Sequence, residues 1–183
     1  MDLTEKTIAS QELYAGRIIR VRRDTVRLPD GRETVREVVA HPGAVAIVPV
    51  DAGEVLFVRQ YRYPAGEVLL EVPAGKLEPG EDPLDCARRE LTEEIGRRAE
   101  RLAFLGMFYT TPGFCDEKMH VFLASGLQAA DEADGGRDAD EFLDVVKIPL
   151  TEALAMLAAG ELRDGKTIAA LAMAGRRLAD EQK

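Results

Sequence analysis

The sequence predicts an α+β fold in which a mixed β-sheet lies between helices and an antiparallel hairpin opens the chain. Three observations predict it. Alternating apolar and polar stretches come in pairs joined by turn residues, as antiparallel hairpins do. A single amphipathic helix sits in the middle of the chain, and two Ala- and Leu-rich helical segments close it after further strands. The order is therefore not a regular βαβ succession, and a doubly wound nucleotide fold is excluded on that pattern. No GxGxxG, GxxxxGK[ST] or HExxH motif occurs either.

The first hairpin is expected from Arg17–Leu28 and Glu33–Val39, joined by Pro29-Asp30-Gly31-Arg32. After the break at His41-Pro42-Gly43 a second pair follows, Ala44–Val50 and Val55–Gln60, around Asp51-Ala52-Gly53-Glu54. Val68–Val72 reads as a short strand ended by Pro73, and Ala74–Glu81 as a loop. From Asp82 the pattern becomes helical. Asp82 is a capping residue, Pro83 suits the first helical position, and Leu84, Ala87, Leu91 and Ile95 recur every three or four residues up to Gly96. Strands are expected again at Leu102–Tyr109, Met119–Ala124 and Phe142–Ile148, with a long acidic loop at Gln128–Glu141. Helices at Thr151–Ala159 and Thr167–Ala179, each with a threonine cap, complete the chain.

At 183 residues, 46% hydrophobic and 31% charged, the chain has the length and apolar content of one folded domain. It holds no run of the roughly 18 to 20 apolar residues that a membrane span requires, and Met1–Ser10 has no apolar signal region, so a cytoplasmic protein without membrane contact is expected. Cys86 and Cys115 show no CxxC spacing and read as free thiols. A net charge of −9 argues against nucleic-acid binding, which needs clustered Lys and Arg to displace counterions. An anionic substrate would need a cation to accompany it.

The chemistry concentrates in Arg89-Glu90-Leu91-Thr92-Glu93-Glu94 on the central helix. At about 1.5 Å rise per residue, Glu90 and Glu94 lie on one face one turn apart, with Glu93 beside them. Like charges at that spacing cost a helix a few tenths of a kcal/mol, and the macrodipole disfavours anions in its C-terminal half. A solvated acidic face is the plain alternative. Carboxylate oxygens gathered in this way are otherwise ligands for a hard divalent cation.

The residues around this cluster extend it into a longer pattern. Gly75, five residues, Glu81, seven residues, Arg89-Glu90-Leu91, one residue, Glu93-Glu94, one residue and Gly96 together match the Nudix box. The family expects an apolar residue after the closing glycine, where Arg97 stands. The chain further resembles the ADP-ribose pyrophosphatase subfamily in Arg36–Val45, Val58-Arg59-Gln60-Tyr61-Arg62, Glu71-Val72-Pro73-Ala74-Gly75 and Thr111-Pro112-Gly113-Phe114. Pro112 falls where that subfamily carries a proline, sixteen residues past the box.

The resemblance implies a Nudix fold, an α/β/α sandwich, and cleavage of the pyrophosphate of ADP-ribose to AMP and ribose 5-phosphate by an activated water with Mg2+ or Mn2+. It implies metal ligation by Glu90, Glu94 and the backbone carbonyl of Ala74, with Glu93 as a further ligand or orienting carboxylate. Arg89 holds the box glutamates in place. Glu141, in Asp138-Ala139-Asp140-Glu141, is the expected general base or additional ligand. Arg36, Arg62, Glu71 and Glu117 are expected at the substrate, the arginines through bidentate phosphate contacts. Surface salt bridges are the alternative for Arg36, Arg62 and Glu117. Tyr14, Tyr61, Phe108 and Phe114 are candidates to stack on a base, or core residues, and His41 and His120 read as structural.

The resemblance also implies a homodimer through an N-terminal region at residues 1–40, ahead of a hydrolase domain at residues 41–183, with Arg36 serving the neighbour's site. Two other readings stay open. One is a pyrophosphatase for a different nucleoside diphosphate derivative, such as an ADP- or GDP-sugar, a dinucleotide or an oxidised nucleotide. The other is a non-catalytic module that senses ADP-ribose, which the presence of Glu90, Glu93 and Glu94 disfavours.

Overall fold

The computed structural model describes residues 1–130 and 142–181. In chain order the elements are β1 (Lys6–Ala15), β2 (Arg20–Arg27), β3 (Glu33–Ala40), β4 (Ala44–Asp51), β5 (Glu54–Arg62), β6 (Glu67–Glu71), β7 (Ala74–Lys76), α1 (Pro83–Ile95), β8 (Arg97–Tyr109), β9 (Lys118–Ala129), β10 (Leu143–Pro149), α2 (Leu150–Ala159) and α3 (Gly165–Glu181). They fall into two compact units, Met1–Gly43 with Tyr109–Lys118, and Ala44–Phe108 with Met119–Lys183.

The first unit is an antiparallel sheet in the order β1-β2-β3. The β2–β3 hairpin is the one the alternating pattern predicts, in register from Arg20↔Ala40 to Arg27↔Glu33. Strand β1 was not expected. All ten of its residues are exposed, and its pairing with β2 shifts register between Thr7 and Ala9 and again between Glu12 and Tyr14. A strand with no buried face leaves no period of two in the sequence. The 109–118 loop is tied to β3 by Val39 N–H donating to Phe114 O at 2.7 Å and by Asp116 N–H donating to Val39 O at 3.2 Å.

The second unit is the expected mixed sheet between helices. Its main path runs β10-β5-β4-β9-β8, with β9 parallel to β4 and β10 antiparallel to β5. Only Val50↔Val55 and Asp51↔Glu54 pair within the β4–β5 hairpin. Beyond them the two strands part, and the segment from Glu67 to Lys76 pairs with both, β6 along β5 and β7 along β4. Pro73 sits where the segment changes partner, a place where a missing ladder N–H costs nothing.

Alternation along β4 divides the core. Ala44, Ala46 and Val48 pack with Phe57, Ala153, Leu162, Ala170, Leu171 and Ala174, against α2 and α3. Val45 and Ile47 pack with Leu56, Val58, Cys86, Ala87, Leu91 and Ile95, against α1. Both faces are buried, which explains why Ala44–Val50 is a nearly continuous apolar run.

Helix α1 has the boundaries its sequence predicts. Asp82 Oδ1 accepts from Leu84 N–H at 2.8 Å, Pro83 occupies the first turn, and Gly96 caps the end at φ 62°. The threonine caps expected for the other two helices are corrected. Thr151 lies inside α2, which has no side-chain cap, and α3 is capped by Asp164, whose Oδ2 accepts from Thr167 N–H at 3.0 Å. Ala74–Lys76, expected as loop, is a short strand.

Candidate active site

The site is built on the face of α1 that meets β7. Glu90 and Glu94 are buried there although charged, and Glu93 is partly exposed. Gly75 on β7 faces Glu90 so closely that a Cβ at that position would lie 1.7 Å from Glu90 Oε1. Any side chain other than hydrogen would occupy the volume that the carboxylate uses. Glu94 Oε2 accepts from Ala74 N–H at 2.9 Å. Consecutive carbonyls of an extended strand point to opposite edges, and that of Pro73 accepts from Ile47 N–H at 2.8 Å on β4. The Ala74 carbonyl therefore points to the other edge, the one where Glu94 holds the Ala74 amide.

Arg89 organises this cluster. Its Nε and Nη2 bind Glu81 Oε1 and Oε2 at 2.9 and 3.0 Å, and its Nη1 reaches Glu90 Oε1 at 2.7 Å and Glu93 Oε2 at 2.8 Å. Nη2 also donates to Lys76 O at 3.2 Å. One guanidinium thus fixes the loop before the helix, two helix glutamates and the end of β7. The bond to Glu81 is the main cause holding the Arg89 guanidinium above its already high range, with Glu90 and Glu93 adding to it. The same bond, helped by Glu78 N–H, holds the Glu81 carboxyl below its ordinary value. Cys86 lies against Arg89 with its thiol pushed up by burial, which disfavours the thiolate.

A second cluster flanks Ala74 on its N-terminal side. Glu71 is fully buried, and Arg62 clasps it at two points, Nε to Oε1 at 2.7 Å and Nη2 to Oε2 at 2.6 Å. Lys166 Nζ also donates to Glu71 Oε2 and, at 3.0 Å, to Asp164 Oδ2. Burial pushes the Glu71 carboxyl up, but the bonds and charges of Arg62 and Lys166 outweigh it, and the net direction is down. Arg62 is held above its ordinary value chiefly by the Glu71 bond, with Asp164 and Glu94 contributing through space. Glu71, expected at the substrate, has a fully buried carboxylate whose partners are Arg62 and Lys166.

In the first unit, Arg36 pairs with Glu5 at 3.0 and 2.7 Å, and Glu117 accepts from Thr110 Oγ1 at 2.6 Å and lies 3.4 Å from His41 Nδ1. Tyr14, Tyr61 and Phe114 are exposed, while Phe108 packs against the core on the α2 and α3 side. Glu141 lies outside the described residues. Lys166 and Thr167 escaped sequence reasoning because they lie ninety-five positions from their partners Glu71 and Val72. No local pattern could link them.

Among the described residues no three acidic, His or Cys side chains form a ready-made metal cage. A small hard cation does not need one, since it is held by one or two carboxylates with phosphate oxygens and water completing its shell. The oxygen-only donors Glu90, Glu94 and Ala74 O beside the space kept by Gly75 suit such an ion.

The model of the NUDIX domain matches residues 40–171. This chain belongs to the Nudix family. The model of the nucleoside diphosphate sugar hydrolase N-terminal domain matches residues 5–39. The chain is 44% identical over 170 residues to the ADP-ribose pyrophosphatase of Bacillus subtilis, covering 92% of this chain and 91% of the relative. It is 42% identical over 168 residues to the methanol dehydrogenase activator of Bacillus methanolicus, covering 91% and 90%. It is 40% identical over 166 residues to the ADP-ribose pyrophosphatase of Mycobacterium tuberculosis, covering 90% and 80%. In three dimensions this Nudix chain superposes on the crystal structure of an ADP compounds hydrolase with a TM-score of 0.86, covering 99% of this chain and 98% of that one at 24% identity, a likeness of fold. No described helix of the Nudix chain is long and apolar enough to cross a membrane.

Proposed function

We infer that this Nudix protein is a divalent-metal-dependent pyrophosphatase that hydrolyses ADP-ribose to AMP and ribose 5-phosphate, with Mg2+ or Mn2+ as the ion. The observation that carries the reading is the approach of Gly75 to Glu90, with Glu94 holding the next residue back along β7. The full-length relatives named ADP-ribose pyrophosphatase supply the substrate.

In this reading Glu90, Glu94 and the Ala74 carbonyl hold the ion, and Glu93 is a further ligand or keeps Arg89 in place. When bound, the ion offsets the charge of the pyrophosphate oxygens and lowers the pKa of the attacking water. Arg89 keeps the carboxylates from splaying apart under their own repulsion. Arg62, clasped by Glu71 on its Nε and Nη2 edge, presents its Nη1 edge to a phosphate. Glu117 and Arg36 contact the rest of the substrate. Glu141 takes the proton from water or completes the metal shell.

The N-terminal region, residues 1–40, is a dimer contact in the same reading. Strand β1 is fully exposed, and Ile8, Leu13 and Tyr14 stand out on it. An edge strand of this kind invites a partner. In a homodimer Arg36 can serve the neighbouring site.

A second reading keeps the metal site and the cleavage of a pyrophosphate and changes the substrate. The GDP-mannose pyrophosphatases of Yersinia enterocolitica and Citrobacter koseri are 38% and 39% identical over shorter stretches, 63% and 55% of this chain. AMP or GMP release from ADP-ribose, ADP-sugars, GDP-sugars, dinucleotides and oxidised nucleotides, measured with Mg2+ and with Mn2+, decides between them. Preference for ADP-ribose, abolished in Glu94→Gln, supports the first reading. Preference for a GDP-sugar supports the second, and tight ADP-ribose binding with no turnover supports a sensor instead.

A further inference from the structure

Four consecutive residues cross from β6 to β7, and between them they are held by β5, β4, α1 and α3. Glu71 is clasped by Arg62 of β5, Pro73 O accepts from Ile47 N–H of β4, and Ala74 N–H donates to Glu94 of α1. The remaining one, Val72, is held from the opposite layer. Its N–H donates to Thr167 Oγ1 of α3 at 2.9 Å. The bond has a definite cause. The β5–β6 ladder ends at Val58↔Glu71 and the β4–β7 ladder begins at Ala46↔Ala74, so the Val72 amide falls between two ladders. Val72 and Thr167 are both completely buried, where an amide without an acceptor is costly.

The Thr167 hydroxyl is itself directed. It donates to Asp164 Oδ2 at 2.6 Å, which turns its lone pair toward Val72. The same Asp164 oxygen binds Lys166, and Lys166 binds Glu71. The start of α3 therefore grips the crossing segment at two adjacent residues, by a hydroxyl at Val72 and by an ammonium at Glu71. Ala74 is two residues further on.

We propose that Thr167 is a positioning residue for the metal-side edge of β7. Through Val72 it fixes the crossing segment, and so sets the place of the Ala74 carbonyl relative to Glu94 and of Glu71 relative to Arg62. The inference rests on the reading of Ala74 and Glu94 as metal ligands. It assigns to the far layer of the sandwich a share in metal affinity, with no contact between Thr167 and the ion.

The test compares Thr167→Val, which keeps the shape and loses the hydroxyl, with Thr167→Ser, which keeps the hydroxyl. Leu171→Ala, a buried change on the same helix, serves as the destabilised control. Mn2+ binding to the full chain without substrate is followed by electron paramagnetic resonance, alongside melting temperature and AMP release from ADP-ribose. The expected result is Mn2+ affinity weakened about tenfold in Thr167→Val, within the range seen when residues supporting a ligand are removed. Thr167→Ser recovers most of it, and Leu171→Ala melts lower with Mn2+ affinity unchanged. A folded Thr167→Val that binds Mn2+ as the wild type does overturns the proposal, as does an equal loss of affinity in Leu171→Ala. A wild-type chain that binds Mn2+ but hydrolyses none of the nucleotides removes the enzymatic reading and leaves the positioning role standing if Thr167→Val still weakens the ion. A wild-type chain that binds no Mn2+, either alone or with AMP present to supply phosphate oxygens, overturns both.

Discussion

Glu71 on β6 and Arg62 on β5 form a two-point ion pair in which the carboxylate is fully buried and the guanidinium is partly in water. The pair gives a polar side chain to a place where neither strand pattern suggests one. Its geometry holds Arg62 along its Nε and Nη2 edge, so the guanidinium is already ordered within the folded chain.

Removing the carboxylate tests that pair. Glu71→Gln leaves Arg62 without its anion and Lys166 with Asp164 alone, and we expect a loss of about 2 to 3 kcal/mol, below the usual cost of breaking a buried pair because Arg62 keeps contact with water. Urea denaturation measures it. The rise in KM for the nucleotide should exceed the fall in kcat if Arg62 acts by binding.

The same residue predicts a pH dependence. The Glu71 carboxyl is held below the ordinary value of 4.5 in the folded chain. A group whose folded pKa is depressed stabilises fully above its unfolded pKa and loses that contribution as pH falls through the folded value. The stability gap between wild type and Glu71→Gln should therefore be constant near neutrality and shrink below pH 4.5. Melting curves at several pH values check this, and a gap that widens in acid would contradict the assignment.

The metal face makes a sharper prediction. Glu90→Gln and Glu94→Gln should each lower metal-dependent AMP release by about 100-fold or more, equivalent to about 2.7 kcal/mol of transition-state stabilisation. Gly75→Ala should do the same without removing any charged group, because the new methyl would enter the space of the Glu90 carboxylate. A fully active Gly75→Ala would show that Glu90 moves freely.

Arg89→Lys keeps the charge and loses the fork. One ammonium cannot span Glu81, Glu90 and Glu93 as the guanidinium does. The metal concentration for half-maximal rate should rise about 10-fold to 100-fold. If lysine restores wild-type behaviour, the role of Arg89 is charge alone.

The helix cap offers a control remote from the chemistry. Asp82→Ala removes the acceptor for Leu84 N–H, worth about 1 kcal/mol. The melting temperature should fall by about 2 to 4 °C. The metal requirement should not change.

The sequence alone determined α1 and the face its glutamates share, because cap, periodicity and carboxylate spacing are local quantities. Asp82, Gly96 and the shared face of Glu90, Glu93 and Glu94 follow from a turn of 3.6 residues. The need for glycine at position 75 was legible as a pattern, while its reason, the carboxylate of Glu90 within the reach of a Cβ, is a distance across two elements. Tertiary structure decided the rest. Strand β1 carries no alternation because it buries no face, and β7 is a strand only because the parting of β4 from β5 leaves an edge for it to pair with. Glu71 is a candidate substrate contact by sequence, and the burial of its carboxylate against Arg62 and Lys166 is a product of the tertiary structure. The bonds from Lys166 to Glu71 and from Val72 to Thr167 join residues ninety-five positions apart, which only the folding of α3 back over the sheet brings within hydrogen-bond length.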